Sequence, residues 1–310
     1  MSFKQTPQKF NASIGTVEMG VENKITLGGE NVLPFYTFDG GTVGTPKIGV
    51  EVVDTGVGTT YEGLTAYYGE DVVGAAKKAC ELEGADFVCL SFNGADPNGL
   101  DKSVEECVEL AKAVAEVVTK PLMIAGCKSA EKNTALFDKV GAALEGKNVV
   151  LFSAQEENYK GVAASAVMAY GHKVSAESSV DINLAKQLNV LISQMGIAAG
   201  NSVMNPGSAA AGYGFEYVAS TIQRIKLAAL SQNDVSLQSP MILPVSAETW
   251  GVKEAIASEA DQPEWGNVED RAINMEIVTA AACLAAGANA VIVKHPKSVE
   301  TLSTMIKELL

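Results

Sequence analysis

Eight short apolar runs rich in Val and Ile recur along the chain after residue 45, and a stretch of helical period follows each of them. A strand that is buried on both faces shows continuous rather than alternating apolar character, so the runs are typical of a parallel sheet covered by helices. The runs are 47–54, 86–92, 121–127, 148–154, 172–178, 201–206, 241–247 and 290–296. Eight strand-and-helix units predict an α/β fold of the (β/α)8 TIM barrel type.

The segments between the runs carry apolar residues at a spacing of three or four, which is the period of an amphipathic helix. This spacing is clear over residues 104–118 and 182–195. The alternative to a barrel is a doubly wound open sheet, which needs a glycine fingerprint after its first strand. The segment VVDTGVGTTYEG (52–63) lacks the helix-side part of that fingerprint, so the barrel is favoured.

Residues 1–45 precede the predicted barrel. Polar and apolar residues alternate over 13–30, with a turn near Gly20. This pattern predicts a β-hairpin, which we expect to close the bottom of the barrel. The sequence therefore predicts an N-terminal extension with a hairpin over 1–45 and a TIM barrel over 46–310.

The charge balance excludes several classes of partner. The 23 Lys and Arg residues face 37 Asp and Glu residues, which gives a formal net charge of -14. Such a chain is poorly suited to nucleic acid or to an anionic membrane surface. The N-terminus has no apolar signal region, and no apolar run reaches the length of a membrane span. We expect a cytoplasmic protein that binds neither nucleic acid nor membrane.

The residue types of common catalytic and metal sites are sparse. The five cysteines lie within apolar patterns without any C-x-x-C pair, so we expect buried thiols and neither zinc nor an iron–sulfur cluster in this chain. His172 starts a strand and is expected to be structural, whereas His295 ends the last strand, where a structural role and a site role both stay open. Neither a catalytic triad nor a metal-binding cluster can be assembled from two distant histidines.

Binding groups in a barrel lie on the loops that follow the strands. These loops supply amide, carboxylate and aromatic groups with few cations. The candidate cofactor-binding residues are Asn93, Asp96, Glu156, Asn158, Asn205, Ser208, Gly212, Tyr213, Glu248 and Trp250. Structural roles stay open for several of them, since Asp96 can cap a turn and the pair Glu156 and Glu157 suits a helix N-terminus.

The loop NPGSAAAGYGFEY (205–217) fits neither the P-loop nor the dinucleotide fingerprint, because its glycines have the wrong spacing and no Lys-Ser or Lys-Thr pair follows. Small residues allow close approach of a large flat ligand to the backbone. The same small residues would also suit packing against another subunit, and both interpretations stay open.

Several segments in one order resemble a known family, the small subunit of the corrinoid/iron–sulfur protein, which is the counterpart of the delta subunit of the archaeal acetyl-CoA decarbonylase/synthase complex. The resemblance covers nearly the whole chain from about Lys24. Relatives more often have Asp at the position of Asn93. The segments that carry the resemblance are LPFYTFDG (33–40), NGADPNG (93–99), AQEENYK (154–160), DINLAKQLN (181–189), GYGFEY (212–217) and HP (295–296).

The resemblance implies a heterodimeric methyl carrier of the anaerobic acetyl-CoA pathway. It implies that the large subunit holds the [4Fe–4S] cluster and most of the corrinoid, and that this chain covers the corrinoid with its barrel mouth. The cobalt would take a methyl group from methyltetrahydrofolate through a methyltransferase and pass it to acetyl-CoA synthase. The chain would then be a carrier subunit rather than a stand-alone catalyst. The D-x-H-x-x-G signature of histidine-ligated cobalamin domains does not occur, so we expect no cobalt ligand from this chain.

The residue types at the predicted mouth independently suit a corrin. A corrin is a flat apolar disc whose rim carries uncharged amides, and the predicted mouth has small residues with amides and carboxylates around them. The alternative is an enzyme, a pterin-binding barrel that binds methyltetrahydrofolate in its own mouth and moves the methyl group itself. In that case Asp54 or Asn93 would pair with the pterin ring.

Overall fold

The computed structural model describes residues 6–310, and it contains ten strands and eleven α-helices. Two strands form an N-terminal hairpin and eight form one parallel sheet. The hairpin strands are β1 (Thr16–Met19) and β2 (Ile25–Gly28). The sheet strands are β3 (Lys47–Val53), β4 (Phe87–Ser91), β5 (Leu122–Ala125), β6 (Val150–Ala154), β7 (Lys173–Glu177), β8 (Ser202–Asn205), β9 (Ile242–Leu243) and β10 (Ala290–Val293).

One or more helices follow every strand of the parallel sheet. They are α1 (Glu62–Tyr68), α2 (Val72–Glu81), α3 (Val104–Val117), α4 (Ala130–Ala143), α5 (Tyr159–Ala163), α6 (Ile182–Gln194), α7 (Phe215–Ser231), α8 (Val245–Thr249), α9 (Lys253–Ile256), α10 (Val268–Ala286) and α11 (Pro296–Leu309). A π-helical turn, Ala164–Ala169, continues α5. None of the helices in the described part of the chain combines the length and the apolar character needed to cross a bilayer.

Local sequence explains where the helices begin. Ser103 and Glu106 form a reciprocal capping box at the start of α3, in which the Ser103 hydroxyl accepts from the Glu106 N–H at 3.2 Å. Asp181 caps α6 in the same manner, accepting from the Asn183 N–H at 2.7 Å. Such caps satisfy N–H groups that have no partner within the helix. Both predicted amphipathic faces lie on these two helices.

The parallel sheet closes into a barrel, as predicted. Its strands pair in the order β8-β7-β6-β5-β4-β3-β10-β9. The ends meet through a bridge between Met204 and Met241, where the Met204 N–H donates to the Pro240 carbonyl at 2.8 Å. This closure rules out the open sheet.

The seventh barrel strand differs from its prediction. The apolar run 241–247 predicts a strand over its whole length, but β9 covers two residues and α8 begins at Val245. Pro244 has no N–H to donate to a ladder, so pairing ends before it. Val245, the next apolar residue of the run, is buried in a helix instead.

The hairpin closes the bottom of the barrel, as predicted. Val17, Met19 and Leu27 are almost fully buried, and they pack with Phe87 and Met123 inside the lumen. The side-chain amide of Asn148, just before β6, donates to the carbonyls of Glu18 and Gly20 at 3.2 and 3.0 Å. The N-terminal end of the lumen is therefore filled, and the carboxyl end is left for a site.

Candidate functional site at the barrel mouth

The upper layer of the barrel lumen is polar, whereas the layers below it are mainly apolar. Cys89 belongs to the apolar cluster of the lumen, and Ser91, two residues further along β4, continues the same inward face. We call this upper layer the mouth floor. It consists of Glu51, Ser91, Ser153, Glu177, Asn205 and Lys294.

One wall of the mouth floor is built by β10, β3 and β4, which are neighbours in the sheet. The Ser91 hydroxyl donates to Oε1 of Glu51 at 2.8 Å. Oε2 of the same carboxylate lies 3.6 Å from the ammonium of Lys294. Only 6% of the Glu51 side chain is exposed, so its charge is balanced within the wall by one hydrogen bond and one cation.

The other wall is built by β6, β7 and β8. The Ser153 hydroxyl donates to Oε2 of Glu177 at 2.9 Å, and the side-chain amide of Asn205 donates to the Ser153 oxygen at 3.0 Å. The pairing of β6 with β7 shifts register between Leu151 and Ala154, the segment that contains Ser153. The chain of three hydrogen-bonding side chains holds the Glu177 carboxylate beside the lumen.

Glu248, on α8, adds a second carboxylate near Glu177. The residue has exposed surface, but its carboxyl group is partly buried, and this burial raises the pKa of Glu248. The Lys128 charge opposes the rise in pKa, and the Glu177 charge adds to it. The mouth therefore carries carboxylates and ammonium groups together, in spite of the acidic composition of the chain.

A buried carboxylate fixes the elements on one side of the mouth. Glu276, on α10, is fully buried and accepts from the Trp250 indole N–H at 2.7 Å. It also accepts from the backbone N–H of Lys294 at 2.7 Å and of His295 at 3.2 Å. Burial raises the pKa of Glu276, and these donors oppose the rise. Three donors from α8 and from the end of β10 thus converge on one side chain.

Trp250, a predicted binding residue, lies within this cluster rather than on the surface. It is 8% exposed, packs edge-on against Tyr61 with ring centroids 4.7 Å apart, and stacks on His295 at 6.1 Å. The Lys294 ammonium lies 5.6 Å from the centre of its ring. Its direct contact with a ligand stays a prediction, whereas its support of Lys294 is visible.

Both histidines have structural surroundings. His172 is fully buried, with Nε2 2.8 Å from the Gly141 carbonyl, and burial lowers its pKa, as expected for a structural residue. Nδ1 of His295 accepts from the Lys297 N–H at 3.0 Å and caps α11. Nε2 of His295 lies 3.4 Å from Glu269, and burial lowers its pKa. The structural alternative for His295 therefore has direct support.

The amides of two predicted residues have partners within the chain. Asn158 accepts from the Gln155 N–H at 2.7 Å and donates to the Ala130 carbonyl at 2.8 Å. Besides its bond to Ser153, Asn205 accepts from the Gly207 N–H at 3.0 Å. Asn158 ties its loop to α4, and Asn205 belongs to the mouth floor. Contact of either amide with a ligand stays a prediction.

In the loop after β4, some polar side chains are hydrogen-bonded within the chain and others are exposed to solvent. Asp96 accepts from the Asn98 N–H at 2.9 Å and so caps a turn, while Asn93 is exposed. Asp54 accepts from the Gly94 N–H at 2.8 Å and pairs with Lys102 at 3.2 Å. One Asp54 oxygen thus accepts a hydrogen bond and the other pairs with Lys102, while Asn93, the second residue that the pterin-binding alternative could use, faces solvent.

The small-residue loop is anchored to α10. Ala210 is buried, and the Ala211 N–H donates to the Thr279 hydroxyl at 3.0 Å. Gly212 is exposed with φ +87, and a Cβ there would meet no atom within 4 Å. The Tyr213 hydroxyl donates to Glu254 at 2.7 Å while the ring stays 47% exposed. The open part of the loop is thus its second half.

The remaining predicted residues differ in exposure. Glu156 and Glu157 are exposed just before α5, where their charges face solvent. Ser208 lies against the thiol of Cys283, and burial raises the pKa of that thiol to about 12 while Ser208 opposes the rise. Four cysteines are buried and Cys127 is half-buried, all as free thiols, which agrees with the expected role.

Sequence inspection missed the charged members of the mouth floor. Glu51, Glu177 and Lys294 lie inside or at the end of the apolar runs, where we read them as parts of strands. A charged residue within an otherwise continuous apolar run is itself a signal, because an uncompensated charge is too costly to bury. Within residues 6–310, no three His, Cys, Asp or Glu side chains are grouped so as to hold a metal ion.

Four exposed apolar side chains lie on segments that follow barrel strands: in the loop after β4, just before and in the first turn of α7, and on α9. Leu100 is 68% exposed, Tyr217 69% and Ile256 57%, and Tyr213 is the fourth. Large exposed apolar groups at one end of a domain are typical of a surface that another molecule covers.

The fold and the mouth define a (β/α)8 barrel protein with a polar mouth floor. The structure is similar to dihydropteroate synthases, for example that of Burkholderia cenocepacia, with a TM-score of 0.57 and 13% identity over 96% of this chain and 97% of that one. A second, from Xanthomonas albilineans, has a TM-score of 0.55 and 13% identity over 95% of this chain and 98% of that one. At this identity the likeness concerns the fold alone.

The chain belongs to the CO dehydrogenase/acetyl-CoA synthase delta subunit family, whose model matches residues 13–304. It is 32% identical over 297 residues to the acetyl-CoA decarbonylase/synthase complex subunit delta of Archaeoglobus fulgidus, covering 93% of this chain and 65% of the relative. The corresponding subunit of Methanothermobacter thermautotrophicus is 31% identical, covering 91% of this chain and 72% of the relative. The chain thus spans about two thirds of the length of these relatives, and the resemblance seen in the sequence is confirmed.

Proposed function

We propose that this chain is the small subunit of a heterodimeric corrinoid/iron–sulfur methyl carrier, and that its barrel mouth covers the corrinoid. The observation that carries the proposal is family membership over residues 13–304, together with a polar floor at the mouth. The large subunit would hold the [4Fe–4S] cluster and most of the corrinoid. A methyltetrahydrofolate methyltransferase and acetyl-CoA synthase would be the further partners.

The residues at the mouth fit a corrinoid by the chemistry of their donors and acceptors. The rim of a corrin carries uncharged carboxamides, which accept through the carbonyl and donate through the NH2 group. The Lys294 ammonium can donate to the former, and the carboxylates of Glu177 and Glu248 can accept from the latter. Gly212 leaves open space where a flat ring approaches the backbone.

When bound, the corrinoid supplies the cobalt that carries the methyl group. This chain's part is to bind and shield. The exposed apolar rim formed by Leu100, Tyr213, Tyr217 and Ile256 would pack against the corrinoid and the large subunit, and so keep water from the reactive face. The polar floor would orient the ring. No side chain of this chain needs to exchange a proton or an electron in that role.

A bulky group at the mouth tests this proposal. Gly251 is exposed just after α8, and a Cβ there would meet no atom within 4 Å, so Gly251→Trp can enter the mouth without disturbing the barrel. Glu83→Trp is the matched control at the opposite end, where the Glu83 side chain is 94% exposed. Each variant is co-expressed with the corrinoid-binding large subunit, and corrinoid per complex is measured from the visible spectrum.

We expect Gly251→Trp to lower corrinoid retention or to prevent assembly, and Glu83→Trp to match the unaltered chain. Equal retention with both variants, or with the large subunit alone, would contradict the covering role. Titration of the isolated chain with methyltetrahydrofolate is the second measurement. Micromolar binding without a partner would favour the pterin-binding methyltransferase instead.

A further inference from the structure

The ammonium of Lys294 has hydrogen-bonding capacity that the fold does not use. Within residues 6–310 it donates no hydrogen bond, and it pairs with Oε2 of Glu51 at 3.6 Å, which is an ion pair without a hydrogen bond. The face of the Trp250 ring lies beneath it at 5.6 Å. An ammonium has three N–H donors, and 19% of this side chain is exposed, so donors remain available to a molecule at the mouth.

Glu177 offers the complementary group on the other wall. Its Oε2 accepts from Ser153, but no described residue donates a hydrogen bond to Oε1. The side chain is half-buried, so this oxygen is accessible from the mouth. Ser153 and Asn205 fix the carboxylate from behind. An ordered acceptor therefore faces the lumen.

The two hydrogen-bonded groups lie on opposite walls. One is centred on β3 and the other on β7, which are four strands apart in either direction around the eight-stranded barrel. The intervening strands bring Ala125 at the end of β5 and Pro244 just after β9, and both are half-buried residues without polar side-chain atoms. The mouth floor is thus a slot with a donor wall, an acceptor wall and two apolar ends.

The slot suits a neutral polar ligand that has both donors and acceptors. The Lys294 ammonium is already paired with Glu51, so that wall has no net charge to attract an anion. A carboxamide is uncharged and combines an acceptor with two donors. It can bind to either wall without breaking the pair of Lys294 and Glu51.

We propose that the mouth floor binds two different rim carboxamides of the corrinoid. Lys294 donates to the carbonyl of one amide, and Glu177 accepts from the NH2 group of the other. This inference rests on the proposed function and deepens it, because it assigns the recognition of the ring to two residues on opposite walls.

The test compares two ligands that share the corrin ring and the rim carbonyls, of which only one has rim N–H donors. Dicyanocobinamide has rim carboxamides, whereas the dicyano form of the cobyrinic acid methyl ester keeps the carbonyls and has no N–H donors. Cyanide occupies both axial positions, so cobalt ligation plays no part. Binding to the full chain is measured as quenching of Trp250 fluorescence in a Trp265→Phe background and checked by the visible spectrum.

We expect Lys294→Met to weaken binding of both ligands about tenfold, because the carbonyl is common to them. Glu177→Met is expected to weaken binding of the carboxamide ligand about tenfold and to leave the ester unchanged. Lys297→Met and Glu300→Met are exposed controls on α11 and should bind like the unaltered chain. Lys294→Gln keeps a donor and should give an intermediate affinity, while circular dichroism confirms folding of each variant.

The outcomes are distinguishable. Unchanged carboxamide binding by Lys294→Met and Glu177→Met would overturn the two-wall assignment, and so would an equal loss of both ligands in Glu177→Met. If the unaltered chain binds neither ligand at millimolar concentration, the two-wall assignment fails, whereas the covering role is decided separately by corrinoid retention in the complex with the large subunit.

Discussion

Glu276 is the residue whose replacement most directly tests how the mouth is held together. In Glu276→Leu, three buried donors lose their acceptor: the Trp250 indole N–H and the backbone N–H groups of Lys294 and His295. Each buried donor left unpaired costs about 1–3 kcal/mol, and removing a buried carboxylate offsets part of that cost. We therefore expect a loss of about 4 kcal/mol from a folding free energy on the order of 10 kcal/mol.

Urea unfolding, followed by circular dichroism, measures this loss. Glu264→Leu is the matched control, because Glu264 is exposed and its replacement should stay within about 0.5 kcal/mol of the unaltered chain. Glu276→Gln keeps an acceptor oxygen but turns an NH2 group toward one of the donors, so its loss should be about half that of Glu276→Leu, on the order of 2 kcal/mol. If Glu276→Leu costs less than about 1 kcal/mol, the three hydrogen bonds do not hold the mouth as argued.

Three further predictions concern pH, the buried ion pair and the hairpin. Burial raises the pKa of Glu276 in the folded chain above its ordinary value of 4.5, so the contribution of Glu276 to the free energy of unfolding is fully present below that pH and is lost as the pH rises toward the folded pKa. The free-energy cost of Glu276→Gln, measured in urea titrations, should therefore be larger at pH 4 than at pH 7. Lys226 is buried against Glu30, so Lys226→Met should cost about 3–5 kcal/mol, and adding Glu30→Met should recover most of it; no recovery would refute the pairing. Met19→Ala, at the bottom of the lumen, should cost about 2–5 kcal/mol by leaving a cavity, measured as a lowered urea midpoint.

The fold could be predicted largely from periodicity. Continuous apolar runs locate all eight barrel strands, and alternation over 13–30 locates the hairpin that fills the lumen. The exception is the run 241–247, which becomes a two-residue strand and a helix. An apolar run indicates that a segment is buried, but it does not distinguish a buried strand from a short buried helix.

The candidate site was predicted less completely. Gly212, Tyr213 and Glu248 lie at the mouth with exposed surface, as the loops predict. Asn158 and Trp250 satisfy their side-chain hydrogen bonds at Ala130 and Glu276 respectively. Whether an amide or an indole is free for a ligand depends on partners far away in the chain, and spacing along one loop does not contain that information.

By itself, the amino-acid order determined the class of fold and predicted the end of the barrel for the candidate site, because both follow from local periodicity and from the polarity of parallel strands. Tertiary structure alone decided which polar groups become neighbours within each wall of the mouth floor. Glu51 meets Lys294, and Ser153 meets Glu177, only after neighbouring strands have paired and the register of each strand is set. Side chains alternate along a strand, so the sequence predicts which face each one points to. Closure of the barrel then determines which side chains lie opposite each other.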